Sequence, residues 1–145
     1  MYNKILVPLD GSERAEAILP YVEELARAQN ALVIFLQVLE PGQTLPLADP
    51  SGVDLWLREV QRLRDEMRLY VDRQAEEFRK KGIEADSRVE QGRIVDMIVG
   101  CAASEGVDLI AMASHGRTGL ERVVYGSVAA GVLQRIDRPL LLIRS

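Results

Sequence analysis

Short apolar runs alternate along this chain with longer stretches in which apolar residues return every third or fourth position. Lys4-Ile-Leu-Val-Pro-Leu9 has strand length and reads as a buried first strand, with Pro8 near its end. Ala15, Ile18, Leu19, Val22, Leu25 and Ala26 recur at helical spacing and predict a helix from Ser12 to Gln29, kinked at Pro20. Ala31 to Leu39, rich in Val, Ile and Phe, is a second strand. Glu40 to Val53 reads as a loop, since Pro41, Pro46 and Pro50 exclude regular structure through most of it. From Asp54 to Lys81 the stripe Trp56, Val60, Leu63, Met67, Val71, Ala75, Phe78 marks a long amphipathic helix. Ser51 and Asp54 offer it a capping box, and Gly82 ends it. Ile83 to Val89 alternates weakly and reads as a third strand at a sheet edge. Gly92 opens a helix carrying Ile94, Val95, Ile98, Val99 and Ala102, closed near Gly106. Val107 to Ala113 is the fourth strand, Val128 to Ile136 a small-residue amphipathic helix, and Pro139 to Ile143 the fifth strand.

Strands that alternate with helices call for right-handed crossovers, hence an α/β fold. The expected architecture is one doubly wound sheet of five mainly parallel strands in the order 3-2-1-4-5, with helices on both faces. The 145 residues suit a single domain, and neither an internal repeat nor a low-complexity tail is present. Ligands of such sheets sit beyond the carboxyl ends of the strands where strand order reverses. Here the first and fourth strands flank that point, which brings Asp10 beside the segment that leaves the fourth strand.

That segment is Ala113 to Ser127, A-S-H-G-R-T-G-L-E-R-V-V-Y-G-S. A strand that opens through glycines onto a helix start suits an anion, because backbone N–H groups converge there and the helix dipole favours negative charge. Glycines at 116, 119 and 126 let the backbone approach a ligand closely. Ser127 would either donate its hydroxyl to a phosphate oxygen or simply cap the next helix. On these residues alone, a phosphate site and an ordinary glycine-bearing loop both remain open.

The charge balance of 18 − 22 = −4 offers no basic stripe for nucleic acid or an anionic membrane. The three lysines, Lys4, Lys80 and Lys81, all lie far from the glycine segment in sequence. Phosphates there would rely on backbone N–H groups, Ser127, Thr118, Arg117 or Arg122. Cys101, the sole cysteine, excludes an intramolecular disulfide and a cysteine metal cluster, and its helical setting predicts a buried thiol. The start of the chain lacks a long apolar core and cleavage site, and no apolar stretch approaches the ~18 residues of a membrane span. A cytoplasmic protein is the default expectation.

Ile5 to Ser12, I-L-V-P-L-D-G-S, together with the S-H-G-R-T-G-L run, resembles the universal stress protein family over nearly the whole length. Nucleotide-binding members of that family carry G-x2-G-x9-G-[S/T] after the fourth strand. The corresponding positions here are Ala113, Gly116, Gly126 and Ser127, so alanine stands where the first glycine is expected. The resemblance implies an adenine nucleotide alpha hydrolase-like fold and binding of ATP, AMP or ADP. It also implies roles, residue by residue. Asp10 would bond the ribose or the adenine edge, Val38 would offer its backbone to adenine, and Pro8 and Leu9 would shape the adenine pocket. Gly116, Gly126 and Ser127 would hold phosphates, with His115, Arg117, Gly119 and Val128 in or beside the same loop. A magnesium ion would bridge the phosphates, although no acidic pair stands ready to hold it without nucleotide. Each position also has a plainer role, with Asp10 as the cap of the first helix and Val38 as core packing. The resemblance further implies a homodimer through the last strand, residues 140–144. Its alternative is a dimeric interaction module that binds partner proteins and no nucleotide.

Catalysis is not expected beyond weak ATP hydrolysis. His115 has no Asp or Glu nearby in sequence to orient it, and no nucleophile motif accompanies it. Gly126 precedes Ser127 where a P-loop would carry lysine. A phosphoacceptor receiver domain needs an acidic pair after its first strand and a lysine after its fifth; this chain has a single Asp10 and Arg144. A flavodoxin-like carrier needs a hydroxyl-rich first loop and flanking aromatic residues, which Asp10-Gly-Ser12 and a 5% aromatic content do not supply.

Overall fold

The computed structural model describes residues 1–40, 50–114 and 126–145, apart from the side chains of residues 50 and 51. Its centre is a five-stranded parallel sheet of β1 (Lys4–Pro8), β2 (Leu32–Leu39), β3 (Ala85–Gln91), β4 (Leu109–Ser114) and β5 (Leu140–Arg144). The strand order is β3-β2-β1-β4-β5, as the alternation of elements predicts. β3 is an edge strand, displaced two residues along the chain from its predicted span.

Side chains alternate across the strands and supply a core on each face. Ile5, Val7, Val33 and Phe35 point to the side covered by α2 (Leu19–Gln29) and α3 (Pro50–Lys80). Ile18, Val22, Val71, Ala75 and Phe78 meet them there, with Phe35 and Phe78 edge to face at 4.9 Å between ring centroids. Leu6, Ile34, Leu36, Ile110 and Met112 point the other way, onto α4 (Ile94–Glu105) and α5 (Ser127–Arg135).

Several predicted boundaries move. The helix expected from Ser12 to Gln29 is two helices, α1 (Glu13–Glu16) and α2. Ala17 and Ile18 bond back to the carbonyls of Arg14 and Ala15, and Pro20 sits in the first turn of α2. Proline in the first turn removes no helical bond, so the chain restarts its helix there rather than bending a single one. Pro50 begins α3 in the same way, which overturns the loop expected through Val53 and puts Ser51 inside the helix instead of in a capping box. The rest of that expected loop, residues 41–49, lies outside the described residues. Gly106 takes the left-handed conformation (φ 63°) that closes α4. Among the described residues no helix is long and apolar enough to cross a membrane.

Candidate functional site

β1 pairs with β2 from Lys4 to Pro8, but with β4 only at Ile5 and Leu6. Beyond Leu6 the carboxyl ends of β1 and β4 are no longer paired, and Pro8 has no N–H with which to close the gap. The Leu9 N–H returns to β2, donating to the Leu36 carbonyl at 2.8 Å. A cleft opens at this reversal of strand order.

β2 contributes Leu36 and Val38 to the cleft, β4 contributes Met112, Ala113 and Ser114, and α4 contributes Ile94 and Ile98. Pro8, Leu9, Asp10 and Ala15 line it after β1, and Gly126, Val128 and Ala129 line it at the start of α5. It holds about 630 Å³ of space, which includes the open solvent at its mouth. Its lining is apolar apart from Asp10, Ser114 and the backbone, and no described Lys or Arg belongs to it. Lys4 donates to the Glu105 carbonyl and Lys81 to Glu23, at the opposite end of the sheet.

Asp10 is held by the turn that leaves β1. Its Oδ1 accepts from the Ser12 N–H at 2.9 Å and from the Ser12 hydroxyl at 2.5 Å. Gly11 makes that turn with φ 85°, a conformation that side chains other than glycine rarely adopt. Ser12, not Asp10, is the N-cap of α1, accepting from the Ala15 N–H at 3.2 Å. Asp10 orients the cap, and the residue also lines the cleft.

At α5, of the two roles open to Ser127, the cap falls away. Gly126 occupies the N-cap position, Ser127 is already helical and exposed, and among the described residues no side chain caps the helix. The first intrahelical bond runs from the Ala130 N–H to the Gly126 carbonyl at 2.9 Å. The N–H groups before it have no acceptor within the helix, and with the dipole they make the end attractive to an anion.

Ala113 lies in β4 opposite Ile143 and is half-buried. Asn30 is the only described non-glycine residue with positive φ. Ala113 therefore has backbone that any residue adopts, and the consequence of alanine there is a methyl group on the cleft wall.

Pro8, Leu9, Asp10, Val38, Ala113, Gly126 and Val128 thus share one cleft, while Ser127 is not among its lining residues. His115, Gly116, Arg117 and Gly119 lie outside the described residues. Sequence reasoning missed Ala15, Leu36, Ile94, Ile98, Met112, Ser114 and Ala129. The signal for Leu36 was its place two residues before Val38 on the same strand face, and for Ile94 and Ile98 their four-residue spacing on one helix face. Cys101 is buried, and burial pushes its thiol above the ordinary cysteine range, against the opposing influence of Arg88. Among the described residues no group of three or more His, Cys, Asp or Glu side chains could hold a metal ion.

The universal stress protein family model matches residues 1–144. The chain belongs to the universal stress protein family. Universal stress protein MJ0577 of Methanocaldococcus jannaschii is 29% identical over 155 residues, spanning 99% of this chain and 96% of the relative. Universal stress protein YxiE of Bacillus subtilis is 28% identical over 148 residues, spanning 99% of this chain and 100% of the relative. The solved structure of MJ0577 matches 100% of this chain and 97% of its own with a TM-score of 0.83 at 29% identity. A universal stress protein solved in complex with cAMP has the same fold, at 22% identity and TM-score 0.61 over 99% of this chain and 97% of its own. So does that of Archaeoglobus fulgidus in complex with dAMP, at 22% identity and TM-score 0.64 over 98% of each chain.

Proposed function

We propose that this universal stress protein binds an adenine nucleotide, ATP or its relatives AMP and ADP, in the cleft between β1 and β4, and acts as a nucleotide-dependent regulatory dimer in a stress response. The observation that carries this reading is the meeting of Asp10 with the start of α5, which no described side chain caps, in one largely apolar cleft. Apolar walls suit a purine, a carboxylate suits ribose hydroxyls or the adenine amino edge, and a helix start suits phosphates. Two proteins of the same fold hold cAMP and dAMP, which supports the ligand class.

In this reading Pro8, Leu9 and Val38 enclose the base and Asp10 bonds the sugar or adenine edge. Gly126, Ser127 and Val128 meet phosphate oxygens through N–H groups, joined by His115, Gly116, Arg117 and Gly119 of the preceding segment. A magnesium ion would come with the phosphates, because the described residues offer no acidic cluster to hold one alone. With Gly126 where a P-loop would carry its lysine before Ser127, hydrolysis is weak at most.

β5 carries half-buried Leu140 to Ile143 and bonds only to β4 among the described strands. An open apolar edge of this kind favours pairing with a second copy. Ser114, at the end of β4, pairs with Arg144 and donates its hydroxyl to the Ile143 carbonyl at 3.2 Å. The dimer edge therefore adjoins the strand that leads into the phosphate segment.

Calorimetric titration with Mg-ATP tests the site, and sedimentation with and without nucleotide tests the dimer. Saturable binding lost in Gly126→Asp and weakened in Asp10→Ala is the expected result. A folded dimer with no affinity for any adenine compound would leave the interaction-module reading in its place.

A further inference from the structure

The stretch that brings Asp10 to the cleft has little burial of its own. Ala15 of α1 lines the cleft together with Asp10 in the turn before it. Leu9 and Ile18 are buried on either side of this stretch, but none of residues 10–17 is. A helix of four residues is too short to hold its shape unaided. Gly11 turns into it at φ 85°, and Ala17 and Ile18 leave it through long bonds of 3.3 and 3.4 Å to the Arg14 and Ala15 carbonyls. Behind the turn, Gly11 lines a second pocket with Gln37, Met67 and Tyr70, which holds about 520 Å³ of space including open solvent. Gln37 is buried there, its Oε1 without a hydrogen-bond partner. Close packing on that side therefore does not fix the turn.

Another element ties the stretch down. The Tyr70 hydroxyl on α3 donates to Glu16 Oε2 at 2.7 Å, across 54 residues of chain. Both residues are half-buried, and a hydrogen bond to a carboxylate is stronger there than in open water. Tyr70 packs against the core under α3, which makes its hydroxyl a fixed point. Burial above all, then the bond to Glu16 and the charges of Glu16 and Asp10, pushes that hydroxyl above the ordinary tyrosine range, so it keeps its proton and stays the donor. The Glu16 N–H in turn donates to the Ser12 carbonyl at 3.2 Å, and Ser12 donates to Asp10 Oδ1 from both its N–H and its hydroxyl. One chain of hydrogen bonds thus runs from α3 through Glu16 and Ser12 to Asp10.

We infer that, given the nucleotide site proposed above, Tyr70 is a positioning residue that acts through Glu16 and Ser12 to hold Asp10 in place for the ribose or the adenine edge. Tyr70 itself lines the second pocket and not the cleft.

Two measurements test this role, one of them without nucleotide. Tyr70→Phe keeps the packed ring and loses only the hydroxyl. In amide NMR spectra of the free protein it should shift Asp10 and Ser12 and leave β2 and β4 unmoved. Calorimetry with Mg-ATP should show it binding about three- to tenfold more weakly than the native protein. Glu16→Gln, whose amide oxygen still accepts from Tyr70, should bind nearly as the native protein does, whereas Glu16→Ala should match Tyr70→Phe. In an Asp10→Ala background Tyr70→Phe should cost nothing further, because no carboxylate is left to position. Native affinity in Tyr70→Phe, unmoved Asp10 and Ser12 amides, or an equal loss with and without Asp10 would overturn the assignment. Should the native protein bind no adenine nucleotide, the site itself fails, and the amide shifts still decide whether Tyr70 holds the turn: moved shifts uphold that and unmoved shifts overturn it.

Discussion

Gly131→Ala in α5 sets two physical terms against each other. Alanine is the better helix former by about 1 kcal/mol. A Cβ at Gly131, however, would fall 2.8 Å from Val95 Cγ2 and 3.4 Å from Val95 Cγ1, across the contact between α4 and α5. Val95 is β-branched and helical, so one rotamer dominates and it cannot easily swing aside. Overpacking of this kind costs roughly 1–3 kcal/mol. The packing term wins, leaving the variant about 1 kcal/mol less stable, or roughly 3 °C lower in Tm for a chain of this size. Urea and thermal unfolding followed by circular dichroism measure it, and the Val95→Ala background isolates the cause. With the two methyl groups gone, Gly131→Ala should become stabilising by its helix-propensity term. A double-mutant cycle should then give a coupling of about 1–3 kcal/mol. Gly131→Ala stabilising equally in both backgrounds would refute the close approach of α4 and α5. Because Ile94 and Ile98 of α4 and Val128 of α5 share the cleft, loss of that approach would also remove its apolar wall.

Three further outcomes rest on local chemistry. Asp108 accepts from the N–H groups of Asn3 and Lys4 at 2.7 and 2.9 Å, and these bonds hold its carboxyl below the usual aspartate range. A lowered folded value contributes stability above the unfolded value near pH 4 and loses it as pH falls through the folded one, so Asp108→Asn should flatten the acid limb of the stability–pH curve; an unchanged limb would contradict this. Ser12→Ala removes the cap of a four-residue helix and the hydroxyl bond to Asp10, and urea unfolding should register a loss of about 0.5–1 kcal/mol, whereas full stability would mean that the turn holds without them. Cys101, buried and with its thiol raised, should react with an aromatic disulfide reagent only as fast as the protein opens, so rapid labelling of the native state would refute its burial.

The topology was legible because each strand run and each helical stripe differ in period, and alternation then leaves few parallel arrangements. Boundaries were less legible where proline was read as a breaker. Pro20 and Pro50 both stand in first turns, where proline fits, so one expected helix became two and one expected loop became helix. Asp10 was readable as a neighbour of the glycine segment from strand order, whereas Val38 entered only through the family resemblance. Gln37 was readable only in part. Alternation with Val38 gives its face, but whether a donor meets it there depends on how α3 packs across the sheet. Ser127 carried two roles in the sequence, and the cap was removed only by the observed conformation of Gly126.

The most direct test of the central claim is calorimetry of the native protein with Mg-ATP, AMP and GTP, repeated on Gly126→Asp and Asp10→Ala. The account predicts saturable binding of one adenine nucleotide per chain, in preference to GTP. That binding should vanish when a carboxylate stands at the start of α5 and weaken when Asp10 is truncated. Folded protein that takes up no adenine nucleotide, or binds it undiminished in Gly126→Asp, would contradict it.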